Sequence, residues 1–140
     1  MSAPPFAVRH LDHIVLRVRD LDTMVAFYTG VLGCHEVRRQ AEIGLYQLRA
    51  GNSMIDLIPV DQKLGAAGGA APGKEGRNVD HFCLRIEPFD AEVLLPYFST
   101  RGIDPGKVEQ RYGAEGEGAS LYVTDPEGNV VELKGAPVSA

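Results

Sequence analysis

The chain has 140 residues, 44% of them hydrophobic and 24% charged, with a formal net charge of −5. This size suits one domain or two small modules sharing a core, and the acidic balance speaks against nucleic acid or an anionic membrane as a partner. No apolar run is long enough to span a bilayer and no basic-then-apolar leader opens the chain, so a cytoplasmic protein is expected.

Residues 1–8 read as a loose arm. A strand over 11–18 follows in period-two alternation, with Ile14, Leu16 and Val18 toward a core and His13, Val15 and Arg17 on the other face. Asp20 or Asp22 caps a helix over 21–32, in which Leu21, Met24, Val25, Tyr28, Val31 and Leu32 make an apolar stripe and Gly33 supplies the stop. Strands over 34–40, 45–50 and 53–60 come next, the last two joined at Gly51-Asn52. Residues 61–76, rich in Gly and Ala, read as a flexible linker.

The second half repeats the plan. A strand over 78–86 leads to a helix near 90–101, where Pro96 predicts a kink or break and Gly102 the end. Strands over 107–112, 119–124 and 129–134 follow, with a flexible loop at 113–118, a strong turn at 125–129 and frayed residues at 135–140. The pattern is βαβββ twice. It predicts an α+β fold in which modules 10–60 and 77–135, joined by the linker 61–76, form one domain over 10–135. Each helix covers one face of its sheet, and the uncovered faces curl into a shared cup.

The repeat carries chemistry. Asp12-His13-Ile14-Val15-Leu16-Arg17 returns as Asp80-His81-Phe82-Cys83-Leu84-Arg85, and Ile55-Asp56-Leu57 returns as Val131-Glu132-Leu133. Each half therefore opens with a histidine strand and closes with a carboxylate strand. The apolar neighbours of Asp56 and Glu132 face the core, which turns both carboxylates into the cup. Burying a carboxylate unpaired is costly, and a divalent cation held by His13, His81, Glu132 and Asp56 would offset that cost. Nitrogen and oxygen donors without thiolate suit Ni, Zn, Mn, Co or Fe. Cys34 and Cys83 form no CxxC motif or disulfide framework and read as small, reduced, buried residues. His10 and His35 have no echo and read as surface or packing residues.

Four stretches carry a specific resemblance: Leu11-Asp12-His13, Ala26-Phe27-Tyr28-Thr29-Gly30-Val31-Leu32-Gly33, Val79-Asp80-His81, and the turn Asp125-Pro126-Glu127-Gly128-Asn129 leading to Val131-Glu132-Leu133. On these the chain resembles the vicinal oxygen chelate superfamily. That group includes glyoxalase I, extradiol dioxygenases, fosfomycin-resistance transferases, bleomycin-binding proteins and methylmalonyl-CoA epimerase. The resemblance implies paired βαβββ modules, a homodimer, and a metal chelated by two neighbouring oxygens of a small-molecule substrate. Within it, glyoxalase I implies a lyase or isomerase that moves a proton with Glu132 and Asp56, the latter standing where a glutamate is usual. It also implies a glutathione or other thiol cosubstrate, because Arg17 and Arg77 match arginines that hold the glutathione carboxylate. Arg85 shares the His81 face and adds positive charge for an anionic substrate. Tyr122 stands where fosfomycin-resistance enzymes and extradiol dioxygenases place a substrate-contacting tyrosine. The alternatives are thus a non-heme iron ring-cleaving dioxygenase and a drug-binding or drug-modifying resistance protein.

Overall fold

Alternation of apolar and polar residues decides which side of each strand is buried, and the computed structural model, which describes residues 2–138, shows the outcome twice. The chain divides between Ala71 and Pro72 into two compact units. In the first, β1 (His13–Val18), α1 (Leu21–Ala26), β2 (His35–Gln40), β3 (Leu45–Ala50), β4 (Ser53–Pro59) and α2 (Lys63–Ala66) follow in order. In the second come β5 (Phe82–Arg85), α3 (Ala91–Ser99), β6 (Glu109–Gly113), β7 (Gly116–Thr124) and β8 (Val130–Pro137). Each unit holds a four-stranded mixed sheet, ordered β1-β4-β3-β2 in one and β5-β8-β7-β6 in the other. Strand β1, which begins at His13, and β5, which begins just after His81, lie parallel to the carboxylate strands β4 and β8, and the remaining pairings are antiparallel.

The core of the first unit is Leu16, Val18, Met24, Phe27, Tyr28, Cys34, Tyr46, Leu48, Ile55 and Leu57; that of the second includes Phe98, Leu121, Val123, Val131 and Leu133. Removing such side chains from water stabilises each unit by roughly 1.5–3 kcal/mol per residue. Asp20 caps α1 through a hydrogen bond accepted from the Thr23 amide at 3.1 Å, and Asp90 caps α3 through one accepted from the Glu92 amide at 3.1 Å.

Several elements depart from their sequence-predicted form. The helix expected over 21–32 turns into a π-helical segment at Phe27–Val31. Thr29 donates its hydroxyl to the Val25 carbonyl at 2.7 Å and Gly30 has no side chain, so the turn can widen and keep both Phe27 and Tyr28 buried. Helix α3 runs continuously past Pro96, so of the kink or break expected there the break does not occur. The linker at 61–76 contains α2, which needs glycine at 65 because a Cβ there would collide with the Pro59 carbonyl. The loop predicted at 113–118 is instead a tight hairpin with Gly113 paired to Gly116. Strand β8 runs to Pro137 rather than ending at Lys134, because its last residue pairs back to Gly118. Met1 in the predicted arm and residues 139–140 of the predicted frayed end lie outside the described residues. No helix among the described residues is long and apolar enough to cross a membrane.

Candidate metal centre

In the first unit, β1 and β4 pair so that Val15 faces Asp56, which puts His13, two residues earlier on the same face of β1, beside that carboxylate. Asp56 is 4% exposed between the fully buried Ile55 and Leu57. Its Oδ2 accepts a hydrogen bond from Gln47 Nε2 at 3.3 Å, and Gln47 is its direct neighbour on β3. Its Oδ1 is buried and has no hydrogen-bond partner, alone in this among the buried side-chain polar atoms of the described residues. His13 Nδ1 lies 2.8 Å from Asp12 Oδ2. That hydrogen bond raises the His13 pKa above its ordinary value, with the Asp56 charge adding to it against the effect of burial.

The second unit repeats the geometry. Strands β5 and β8 pair so that Cys83 faces Glu132, again two residues after the histidine. Glu132 is 7% exposed, and His81 Nε2 stands 3.3 Å from its Oε1. His81 Nδ1 lies 2.6 Å from Asp80 Oδ2. The same aspartate accepts from Arg77 Nη2 at 3.1 Å, and the His81 hydrogen bond, then Arg77, hold its carboxyl below the usual range. An imidazole that donates from Nδ1 to a carboxylate keeps its Nε2 lone pair for a ligand. In that tautomer His81 turns its Nε2 lone pair toward the Glu132 carboxylate, an arrangement that a cation between them would satisfy.

The turn before β8 fixes this register. Asp125 Oδ1 accepts from the Glu127 and Asn129 amides, both at 2.9 Å, and Asn78 Nδ2 donates to Asn129 Oδ1 at 3.0 Å, tying the lead-in of the His81 segment to the start of the Glu132 strand. Tyr122 is the β7 partner of Glu132, as Gln47 is the β3 partner of Asp56. Its ring sits edge-on to His81 at 5.3 Å and under the Arg111 guanidinium at 4.5 Å. Burial, then the Glu132 charge, raises the Tyr122 pKa.

The arginines expected to meet substrate have protein partners. Arg17 donates to the carbonyls of Gly65, Gly69 and Ala70, at 2.6–3.0 Å, and so clamps the glycine-rich segment after α2. Arg85 pairs with Glu115 and Glu87, both at 2.8 Å. Arg77 is held by Asp80. Cys83, expected to be buried, is exposed, while Cys34 is buried. Burial of its sulfur side, then the Glu132 charge, pushes the Cys83 pKa up to about 11. Cys83, Glu132, Lys134, Arg85 and Glu115 share a cavity of about 220 Å³. A wider groove of about 690 Å³ around Phe89, Gln110 and Ala119 touches none of the predicted ligands.

Among the described residues, no three His, Cys, Asp or Glu side chains gather into a group that could hold a metal ion. The predicted donors stand as two pairs, one in each unit. Both pairs suit a divalent cation chemically: each has an imidazole whose Nδ1 is bound by a carboxylate and a buried acceptor carboxylate, and Asp56 Oδ1 lacks any other partner.

The family model described as Glyoxalase/Bleomycin resistance protein/Dioxygenase superfamily matches residues 10–133. The chain belongs to that superfamily. It is 29% identical over 131 residues to the Virulence protein STM3117 of Salmonella typhimurium, covering 90% of this superfamily member and 83% of that protein. The crystal structure of that virulence protein superposes with a TM-score of 0.76 at 24% identity, over 94% of this chain and 99% of that one. Biphenyl-2,3-diol 1,2-dioxygenase 3 of Rhodococcus globerulus is 29% identical over 128 residues, 89% of this chain and 62% of that protein. Lactoylglutathione lyase from Agrobacterium tumefaciens shares the fold, with a TM-score of 0.63 at 22% identity over 95% of this chain and 96% of that one.

Gln47, Arg111 and Lys134 have no part in the sequence reading of the site, and Asp12, Asp80 and Cys83 appear in it without a role at the site. The repeated Asp-His dipeptide was the available signal for the two aspartates, and period-two counting from Glu132 was the signal for Lys134.

Proposed function

We propose that this superfamily member is a metal-dependent enzyme of glyoxalase type, a lyase or isomerase acting on a small molecule that presents two neighbouring oxygens. The observation that carries the reading is the His81 Nε2 to Glu132 Oε1 approach of 3.3 Å, with Asp80 bound to the other ring nitrogen. In this proposal the metal ligands are His13 and Asp56 of the first unit and His81 and Glu132 of the second. When bound, such an ion polarises substrate oxygens and spreads developing negative charge.

The chain's own groups then do the remaining work. Glu132, shielded from water, is the proposed base that takes a proton from substrate carbon and returns it to the neighbouring carbon. Asp56 is the proposed second base, supported by its unpartnered Oδ1. Asp12 and Asp80 fix the histidine tautomers and ring orientations. Tyr122, packed on the His81 ring beside Glu132, is the proposed substrate-contacting hydroxyl. A thiol cosubstrate such as glutathione and a homodimeric assembly belong to the same proposal, and light scattering on the purified protein tests the latter.

A second reading is a ring-cleaving dioxygenase using iron. The Tyr122–His81 contact and the 29% identity to a protein named as a biphenyl-2,3-diol dioxygenase favour it. Loading the metal-free protein separately with nickel, zinc and iron(II) separates the two. Lactoylglutathione formation with nickel or zinc upholds the first reading. Oxygen-dependent cleavage of biphenyl-2,3-diol with iron replaces it with the second. A protein that takes up no metal and catalyses neither reaction is a binding module instead.

A further inference from the structure

The open face of the second sheet carries a cation that the proposed chemistry does not use. Lys134 lies two residues beyond Glu132 on β8, on the same face, and is 6% exposed. Among the described residues its ammonium donates to one acceptor, the Gly116 carbonyl at 2.9 Å. Its cross-strand partner on β5 is Arg85, a second cation. Like charges directly opposed destabilise a sheet, and a buried ammonium without a counter-ion adds to that cost. Glu115 at the hairpin tip and Glu87 neutralise Arg85, whereas no ion pair reaches Lys134 among the described residues.

The hairpin lies close against this lysine. A Cβ on Gly118 would stand 2.8 Å from the Ala136 carbonyl and 2.9 Å from Lys134 Nζ, and one on Gly113 would stand 3.0 Å from Lys134 Cε. Glycine at both positions leaves the ammonium beside a cavity of about 220 Å³, walled also by Cys83, Arg85, Tyr112, Glu115 and Glu132. That is room for a group of a few heavy atoms. With Arg85 and Lys134 set against Glu115 and Glu132 the formal charge of the wall is zero, and it becomes positive once Glu115 is displaced or neutralised.

We propose that this cavity is a binding subsite for a carboxylate arm of a small substrate, held between Lys134 and Arg85, with Glu115 as the internal counter-ion that the incoming carboxylate replaces on Arg85. Its description as the arm of a substrate rests on Glu132 being the reacting end, as proposed above. Anion binding itself does not, because neither cation depends on a metal.

Propionate and its neutral isostere propionamide, titrated into metal-free protein and followed by amide shifts of Gly113, Gly116 and Gly118, test the subsite. Propionate is expected to shift those amides and propionamide to leave them in place. Lys134→Met is expected to weaken propionate binding at least ten-fold. Glu115→Gln, a change at an exposed hairpin tip, is expected to tighten it at least three-fold, and this arm stands even if Lys134→Met does not fold. Equal response to the two probes, or a Glu115→Gln variant that binds propionate no better than the wild type, overturns the proposal. Propionate binding by a protein that takes up no metal upholds the subsite while removing the proposed function.

Discussion

His81 Nε2 stands 3.3 Å from Glu132 Oε1, while Asp80 Oδ2 lies 2.6 Å from the opposite ring nitrogen. With the hydrogen on Nδ1, shared with this aspartate, Nε2 faces the buried carboxylate as a free lone pair. Carboxylate partners of this kind, placed behind a ligand histidine, typically contribute ten- to hundred-fold to metal affinity. Asp80→Asn is therefore expected to lower metal affinity by about that factor, measured by competition with a chromophoric chelator, without a change in circular dichroism.

The matching pair in the first unit gives a pH prediction. Asp12 raises the His13 pKa above the ordinary histidine value, so His13 holds its proton to higher pH in the folded chain than in the unfolded one. The contribution of this pair to stability is present below the unfolded pKa and is lost as pH rises through the folded one. A proton and a metal would compete for the same imidazole, so the proposed uptake at this pair is expected to weaken as pH falls below the raised value. NMR titration of the His13 ring is expected to give a midpoint above 6.5, and Asp12→Asn is expected to bring it down.

Cys83 reports on the Glu132 charge. With its pKa pushed up to about 11, the thiol is expected to react with iodoacetamide at pH 8 about a hundred-fold more slowly than an ordinary exposed cysteine, despite its exposure. Glu132→Gln removes the second-largest cause of the rise and is expected to speed alkylation, read by mass spectrometry on the Cys83 peptide. Burial, the largest cause, stays, so the rate recovers only in part.

Arg17 provides a test in the fold. Its guanidinium bonds the carbonyls of Gly65, Gly69 and Ala70, and a Cβ on Gly68 would collide with it. Arg17→Met keeps the stem and removes the fork, with an expected loss of about 1–3 kcal/mol in denaturant unfolding and faster proteolysis within 65–76. Arg17→Lys is expected to recover little of either, because one ammonium cannot reach three carbonyls at once.

The alternation of Ile55-Asp56-Leu57 and Val131-Glu132-Leu133 made the two sheets legible, since period two and apolar flanks leave one way to face a core. The cap of α1 was legible for the same kind of local reason, with Asp20 filling it rather than Asp22. Contacts across long stretches of chain were not. Nothing near Arg17 announces that its partners lie some 50 residues away. The glycines of 113–118 read as a flexible loop because composition alone does not separate a free loop from a hairpin that needs glycine for a positive φ at Gly116 and for close backbone approach at Gly118. Cys83 was taken for a buried residue because a lone cysteine usually is one; its place on the face shared with His81 follows from counting by two, as does that of Lys134 beside Glu132.

Calorimetric titration of EDTA-stripped protein with nickel or zinc, in wild type and His81→Ala, tests the central claim most directly. The account predicts saturable uptake of about one ion per chain in the wild type and its loss in His81→Ala, with the far-ultraviolet spectrum and Tm of the variant unchanged. Uptake by His81→Ala with the stoichiometry and affinity of the wild type would contradict it.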